Sequence, residues 1–297
     1  MTNFANFGRQ FNSLLRRTKA IFSLGSAFFA YNSVSVTPLL EVFVFSIARI
    51  LILTVTLAGV VPAHAISQAL SDVVTAAENG DVNAQFTLGR KFVTGDGVPK
   101  DDQQAAVWYR KAADQGHVQA QFNLGQVYFF GWGVPKDDQQ AAVWYRKAAD
   151  QEYAQAQYGL GLLYETSNLV PDYKQAVVWY RKAAAQGDVF AQNKMGQIYL
   201  DGQGVPQNYE QAAAWYRKAA EQGDADAQSN LGVMYADGMG VPKDNKQAYA
   251  WQSVAVANGA YVSAPMLRDR AAERLTPAQL AEAQALAAHY FEDYQSK

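Results

Sequence analysis

Five of the six tryptophans in this 297-residue chain recur at a nearly constant spacing, and this period limits the fold more than any other feature. Successive members stand 36, 35, 36 and 36 residues apart, at Trp108, Trp144, Trp179, Trp215 and Trp251. A Val-Pro pair and an Ala-Gln pair keep the same spacing, and Val98–Gln115 recurs letter for letter at Val134–Gln151. Such a period is typical of solenoids, in which each unit is stable only against its neighbours. We therefore expect the tryptophans to form a structural lattice that joins the units.

Each unit is predicted to be two helices joined by a tight turn. In the second unit, apolar residues at four-residue steps mark one face of a first helix, and Gly125 stands where a neighbouring backbone can come close. Gly131–Pro135 then ends that helix, since glycine accepts the left-handed conformation and proline cannot continue a helix. Asp137 follows as the N-cap of a second helix. No strand pattern competes, so the fold class is all-α.

The repeat array is predicted to cover residues 66–259, as five repeats preceded by a leading half repeat. Residues 260–297 are predicted to form C-terminal capping helices. In the last of these, Thr276 is the N-cap and Gln279 its capping-box partner.

Residues 1–65 differ in composition from the repeats and are interpreted as a signal or apolar N-terminal segment. The apolar stretch Ile50–Val61 has the length of a signal-peptide h-region, and Ala63-His64-Ala65 supplies the small residues of a cleavage site. We predict cleavage after Ala65, which makes the protein secreted or periplasmic. The alternative is an uncleaved inner-membrane anchor with the repeats facing the periplasm. Forty residues are long for the part that precedes an h-region, which favours a true translation start at Val42 or Val44.

Composition argues against several functions. The net charge of −2 and the lack of a concentrated basic footprint argue against nucleic-acid binding. The chain has no cysteine, which removes disulfides, Cys-ligated zinc and thiol nucleophiles. The two histidines of the body, His117 and His289, lie far apart, and His117 occupies a first-turn position that aspartate fills in other repeats. We therefore predict no catalytic residue, no cofactor and no metal site, and the chain is not expected to be an enzyme.

An Arg-Lys pair, first seen at Arg110-Lys111, recurs on the second helices and forms a basic stripe. The main interpretation of this stripe is a solvated outer face. A weak hold on anionic polymers stays open as the alternative.

The consensus of the units resembles the Sel1-like repeat, a relative of the tetratricopeptide repeat. It runs Ala-Gln-x-x-Leu-Gly-x-x-Tyr, then Gly-x-Gly-Val-Pro-x-Asp, then Ala-x-x-Trp-Tyr-Arg-Lys-Ala-Ala-x-Gln-Gly. The third repeat departs from it, because Ser167–Leu169 replaces the Gly-x-Gly turn. The resemblance implies a right-handed α/α superhelical solenoid of helix-turn-helix repeats, with the first helices lining a concave face. It also implies scaffold or adaptor roles, although a fold does not fix a function.

The concave side of the first helices is predicted to form a partner-binding groove that is aromatic in its N-terminal half. The groove residues are Phe86, Phe122, Gln126, Phe129, Phe130, Trp132, Tyr158 and Leu162. Toward the C-terminal half the same positions become polar or acidic, although Phe190 stays apolar there. Exposed aromatic side chains are frequent anchors of protein interfaces. Some of these aromatics, Phe129 above all, could instead pack between helices.

The sequence thus favours an exported scaffold that acts as a monomer and holds a protein or peptide on its concave face. Two alternatives stay open. A cell-wall or β-lactam-related hydrolase would need a convergent polar pocket, and this chain lacks the cysteines of the Sel1-like proteins that have been linked to β-lactams. A structural envelope protein would depend on its N-terminal anchor, its only route to a membrane.

Overall fold

The computed structural model describes residues 63–166, 172–260 and 263–294. Thirteen α-helices and no strand occur in these ranges. The helices are α1 (Ala63–Glu78), α2 (Val82–Thr94), α3 (Asp102–Asp114), α4 (Val118–Phe130), α5 (Asp138–Ala149), α6 (Ala154–Thr166), α7 (Tyr173–Ala185), α8 (Val189–Asp201), α9 (Tyr209–Ala220), α10 (Ala225–Asp237), α11 (Asn245–Ala257), α12 (Ser263–Ala272) and α13 (Pro277–Tyr294). The first helices of the five repeats are α2, α4, α6, α8 and α10, and each packs on the second helix that follows it. The prediction of an all-α solenoid of helix-turn-helix repeats is confirmed.

The chain divides into two units, residues 1–67 and 68–297, and all five repeats lie in the second. The predicted h-region Ile50–Val61, the alternative starts Val42 and Val44 and the irregular turn Ser167–Leu169 lie outside the described residues. Within the three described ranges, no helix combines the length and the apolarity that a membrane crossing requires.

Side chains at the helix N-termini confirm the predicted caps. Three aspartates each accept hydrogen bonds of 2.8–3.1 Å from two backbone N–H groups in the first turn of a second helix. They are Asp101, Asp137 and Asp244. The capping box of α13 is complete: the Thr276 N–H donates to Gln279 Oε1 at 3.0 Å, and the Gln279 N–H donates to Thr276 Oγ1 at 3.3 Å.

The two helices of a repeat meet where a glycine of the first helix faces a tyrosine ring of the second. A Cβ atom at Gly125 would lie 2.5 Å from Cδ1 of Tyr145, far inside van der Waals contact. The same contact recurs in three other repeats, at Gly89–Tyr109, Gly161–Tyr180 and Gly196–Tyr216. In the fifth repeat Gly232 faces Gln252 instead. Gly125 therefore permits a close approach, but the neighbour is a buried tyrosine ring of the same repeat and not the backbone that was predicted.

The tryptophan lattice joins each repeat to the one before it. Trp144 of α5 lies in one apolar cluster with the alanines of α3 and with Leu124 of α4. Four lattice members are only 3–6 % exposed, namely Trp108, Trp144, Trp179 and Trp251. Trp215 is half-buried and packs on the cluster of the repeat before it. At the end of the array, Tyr290 and Tyr294 of α13 cover Trp251, with ring centroids 4.5 and 5.6 Å away.

A row of buried glutamines joins the same units through hydrogen bonds. In the second repeat, Gln121 donates from Nε2 to the carbonyl of Ala113 at 3.2 Å and accepts at Oε1 from Nε2 of Gln151 at 2.8 Å. The glutamines that hold this position in the other repeats are Gln85, Gln157, Gln192 and Gln228. Each one donates a hydrogen bond to a carbonyl in the last turn of the preceding second helix, where the carbonyls lack the N–H partners of a continuing helix.

The Arg-Lys stripe of the second helices is exposed to solvent but also contacts aromatic rings. Lys147 Nζ lies 3.9 Å from the ring centroid of Trp144, one turn earlier in the same helix. Arg146 donates to the hydroxyl of Tyr164, in the first helix of the next repeat, at 3.1 Å. Equivalent contacts are made by Lys111, Lys182 and Lys218 and by Arg110, Arg181 and Arg217. The stripe is therefore a rim that covers the tryptophans as well as a solvated face.

We predict that Trp179→Ala lowers the free energy of unfolding by about 3–5 kcal/mol, because it leaves a cavity between two repeats. Trp179 is 5 % exposed, whereas Trp132, outside the lattice, is 48 % exposed. Trp132→Ala is the matched control and should cost less than about 1 kcal/mol. Denaturant unfolding followed by far-UV circular dichroism measures both changes, and equal losses would contradict the lattice.

Candidate protein-binding face

The first helices share one side of the array, here termed the first-helix face. Two aromatic residues at the end of α4 stand out from it. Phe130 is 50 % and Trp132 48 % exposed. Their rings stack with centroids 4.6 Å apart and planes 19° apart. Both side chains were predicted groove residues, and the structure places them together on the surface.

Four other predicted groove residues pack between helices. Phe86, Phe122, Phe129 and Tyr158 are half-buried. Each lies against the tyrosine of a second helix, with ring centroids 5.5–6.5 Å apart. The packing foreseen mainly for Phe129 thus extends to all four. Leu162 is also half-buried, and these five side chains are therefore less accessible than Phe130 and Trp132.

A cavity of roughly 450 Å3 lies at the junction of the first and second repeats. Its walls include Val93, Ala105, Val127 and one side of Trp132. Polar groups also line it, among them Lys100, Asp102, Asn123 and Gln126. A predominantly apolar cavity of this size with a few polar groups is typical of a binding pocket. The predicted groove residues Gln126 and Trp132 therefore border one site.

A second cavity, of roughly 600 Å3, spans the first helices of the third, fourth and fifth repeats and reaches α12. Tyr158, Phe190, Asn193, Gln197 and Asp226 are among the residues that line it. Phe190 is 65 % exposed, and its ring centroid lies 6.1 Å from that of Tyr158. In the sequence, Phe190 stands out only as an apolar residue in a polar region. The cavity could not be predicted from the sequence of any single repeat, because three repeats contribute to its lining.

Lys194, which lines this second cavity, forms an ion pair with Glu165. Lys194 Nζ lies 2.8 Å from Glu165 Oε1, and the hydroxyl of Tyr180 donates to Glu165 Oε2 at 2.6 Å. Burial, followed by the hydrogen bond to Glu165, raises the pKa of Tyr180. Burial also raises the pKa of Tyr158, with further contributions from the carboxylates of Asp188, Glu165 and Asp224. Three carboxylates therefore lie near Tyr158 at this cavity.

His117 caps α4 at the position that aspartate holds in the first, fourth and fifth repeats. Its Nδ1 accepts from the Ala120 N–H at 3.2 Å, and its ring stacks on that of Phe86 with centroids 4.4 Å apart. Burial lowers the pKa of His117. An imidazole nitrogen accepts only while it is unprotonated, so this cap depends on a neutral ring.

The titratable groups of the described ranges form no metal site. No group of three or more His, Cys, Asp or Glu side chains there is placed to hold a metal ion. The Asp caps are spread along the array, at the N-termini of different helices.

Stacked helix pairs that share one concave face define a helical-repeat solenoid. The family model described as Sel1 repeat matches residues 82–117, 118–153, 154–188, 189–224 and 225–258. These matches cover more than half of the chain, which belongs to the Sel1 repeat family, and the resemblance predicted from the sequence is confirmed.

Two solved structures show the likeness in three dimensions. A Sel1 repeat protein from Oxalobacter formigenes is 38 % identical, over 66 % of this chain and 81 % of that one, with a TM-score of 0.61. A protective antigen of uropathogenic Escherichia coli with an SLR fold is 33 % identical, over 77 % of this chain and 57 % of its own, with a TM-score of 0.51. This chain thus spans little more than half the length of that antigen. No curated protein matches the sequence.

We predict that His117 makes the stability of the array fall in mild acid. Because the folded-state pKa is lowered, the unfolded chain takes up the proton first. The contribution is complete above the unfolded pKa of about 6.5 and is lost as the pH falls toward the lower folded value.

The matched variant is His117→Asn, which keeps an acceptor oxygen without a titration and should lie within about 1 kcal/mol of the parent at pH 8. The free energy of unfolding, measured in urea from pH 8 to pH 5, should fall more steeply for the parent than for the variant. The difference reports on His117 alone, because the other histidines are common to both proteins. A stability difference that does not change with pH would refute the prediction.

Proposed function

We propose that this protein is an exported scaffold that holds a partner protein or peptide on its first-helix face. The observation that carries the proposal is the stacked pair Phe130–Trp132, half exposed beside a cavity of roughly 450 Å3. A large aromatic that offers one side to solvent and borders a pocket is a typical interface anchor. Sel1 repeat solenoids are typically protein-interaction scaffolds rather than enzymes, which agrees with this choice.

The internal duplication supports the assignment, because it separates residues that the fold needs from residues that it does not. Val98–Gln115 and Val134–Gln151 are identical, yet the turn before the first carries Asp96 where the turn before the second carries Trp132. Both turns have glycines with positive φ on either side of this position. A tryptophan there is thus not required by the turn, and a surface role explains it.

The first test exchanges the exposed aromatics. A photo-crosslinking phenylalanine analogue at position 130 of the full chain, expressed in its host, identifies the partner. Phe130→Ser with Trp132→Ser should then weaken binding of that partner at least tenfold, the scale of a lost hot spot. Titration calorimetry measures the change.

The matched control removes equally exposed apolar side chains from the second helices. Val107 and Val143 are 47 % and 48 % exposed there. Val107→Ser with Val143→Ser should leave the affinity within about twofold, since both side chains lie off the proposed face. If the groove variant is silent while removal of the N-terminal apolar segment abolishes function, the anchoring role replaces the scaffold.

Export is the second part of the proposal and rests on Ala63-His64-Ala65 after the apolar stretch Ile50–Val61. The intact mass of the exported protein should correspond to residues 66–297. A protein that keeps the apolar stretch would instead establish the anchored form.

A further inference from the structure

The two cavities of the first-helix face differ in chemistry. The one between the first and second repeats has apolar walls, including Val93, Val127 and Trp132. The one that spans the third to fifth repeats combines aromatic rings with side-chain amides and a carboxylate. A partner segment that fills both must therefore carry two different kinds of side chain.

The second cavity has the features that attract an organic cation. Phe190 and Tyr158 supply aromatic faces, and Phe190 is 65 % exposed. Lys194 and Asp226 are the charged residues that line the cavity. Glu165 neutralises Lys194 at 2.8 Å, whereas Asp226 forms no ion pair with any residue in the described ranges. An aromatic face beside an unpaired carboxylate suits a guanidinium or ammonium group.

The surrounding charges strengthen this preference. Asp188, Glu165 and Asp224 lie near enough to Tyr158 to raise the pKa of its phenol. With Asp226, which lines the cavity, four carboxylates and the ammonium group of Lys194 lie in this part of the face. The first cavity is different, because α4 carries no charged residue at all and Lys100 and Asp102 balance each other.

The two cavities lie toward opposite ends of the first helices. Trp132 follows the C-terminus of α4, whereas Phe190 and Asp226 stand in the first turns of α8 and α10. A segment that reaches both cavities must therefore cross the first helices obliquely.

We propose that the first-helix face selects an extended partner segment with a large apolar side chain for the Trp132 cavity and an arginine or lysine for the Phe190–Asp226 cavity. This inference rests on the proposed function, since it names the chemistry of the partner at the same face. Charge complementarity commits it to a basic segment. An acidic peptide would lack the cation that the Phe190–Asp226 cavity is proposed to bind.

The test is a selection of random dodecapeptides, displayed on phage, against the full chain held through a C-terminal tag. Enriched peptides should pair Leu, Ile, Phe or Trp with Arg or Lys at one constant separation. The most enriched peptide is then synthesised, and its affinity is measured by fluorescence polarisation. Asp226→Lys should weaken it at least tenfold, because it replaces an attraction with a repulsion.

Two controls separate the local effect from general ones. Glu210→Lys makes the same charge change on an exposed second-helix residue and should alter the affinity less than twofold. Phe190→Leu removes the aromatic face and should weaken the peptide severalfold, whereas Phe291→Leu, on the exposed surface of α13, should not. Circular dichroism confirms that each variant is folded.

The outcomes separate this inference from the proposed function. Enriched peptides that lack a basic residue, or that bind Asp226→Lys unchanged while Phe130→Ser with Trp132→Ser abolishes binding, overturn the inference and leave the scaffold intact. Selection of no peptide, with photo-crosslinking at position 130 also capturing nothing, refutes both. Self-association abolished by Asp226→Lys would make a second copy the occupant and would overturn the basic segment.

Discussion

The contact of a first-helix glycine with a second-helix tyrosine ring determines how the two helices pack in four of the five repeats. Without a Cβ at Gly125, the ring of Tyr145 lies against the helix backbone and fills the core between the two helices. A tyrosine set so deep must direct its hydroxyl to a polar partner. The hydroxyl of Tyr180 donates to Glu165 at 2.6 Å, and that of Tyr216 to Gln197 at 3.1 Å. The core contact thus also decides which polar side chains are held on the first-helix face.

Two lattices of different character join the repeats to each other. Tryptophans such as Trp144 bury apolar area between units, and this attraction is strong but tolerates small shifts. The glutamine row is directional, because Gln121 must meet the carbonyl of Ala113 and the amide of Gln151 at the same time. An unsatisfied buried amide costs free energy, so the hydrogen bonds define one register of the stack. The buried apolar area of the tryptophans and the directional hydrogen bonds of the glutamines together explain why both residue types recur with one period.

A scaffold specified in this way leaves the first-helix face free to vary. The second helices of the first two repeats are identical, while the concave surface beside them changes from Asp96 to Trp132 and from Thr94 to Phe130. Substitutions on that face alter neither the lattice nor the caps, so its chemistry can follow a partner. The first-helix face is apolar near α4 and carries carboxylates near α10. This gradient arises from differences between repeats and cannot be seen in any single repeat.

The period, the helix pairs, the caps and the tryptophan lattice could all be predicted from the sequence, because each depends on local chemistry repeated at fixed intervals. The role of Gln121 could not, since its partners lie 8 and 30 residues away. The burial of each aromatic side chain could not be predicted either. Phe122 and Phe130 are the same residue type on one helix, yet Phe122 is covered by neighbouring rings whereas Phe130 is 50 % exposed. A helical pattern specifies the direction in which a side chain leaves its helix. Whether a neighbouring ring covers it, and whether three repeats enclose a cavity around Phe190, is decided only when the units stack.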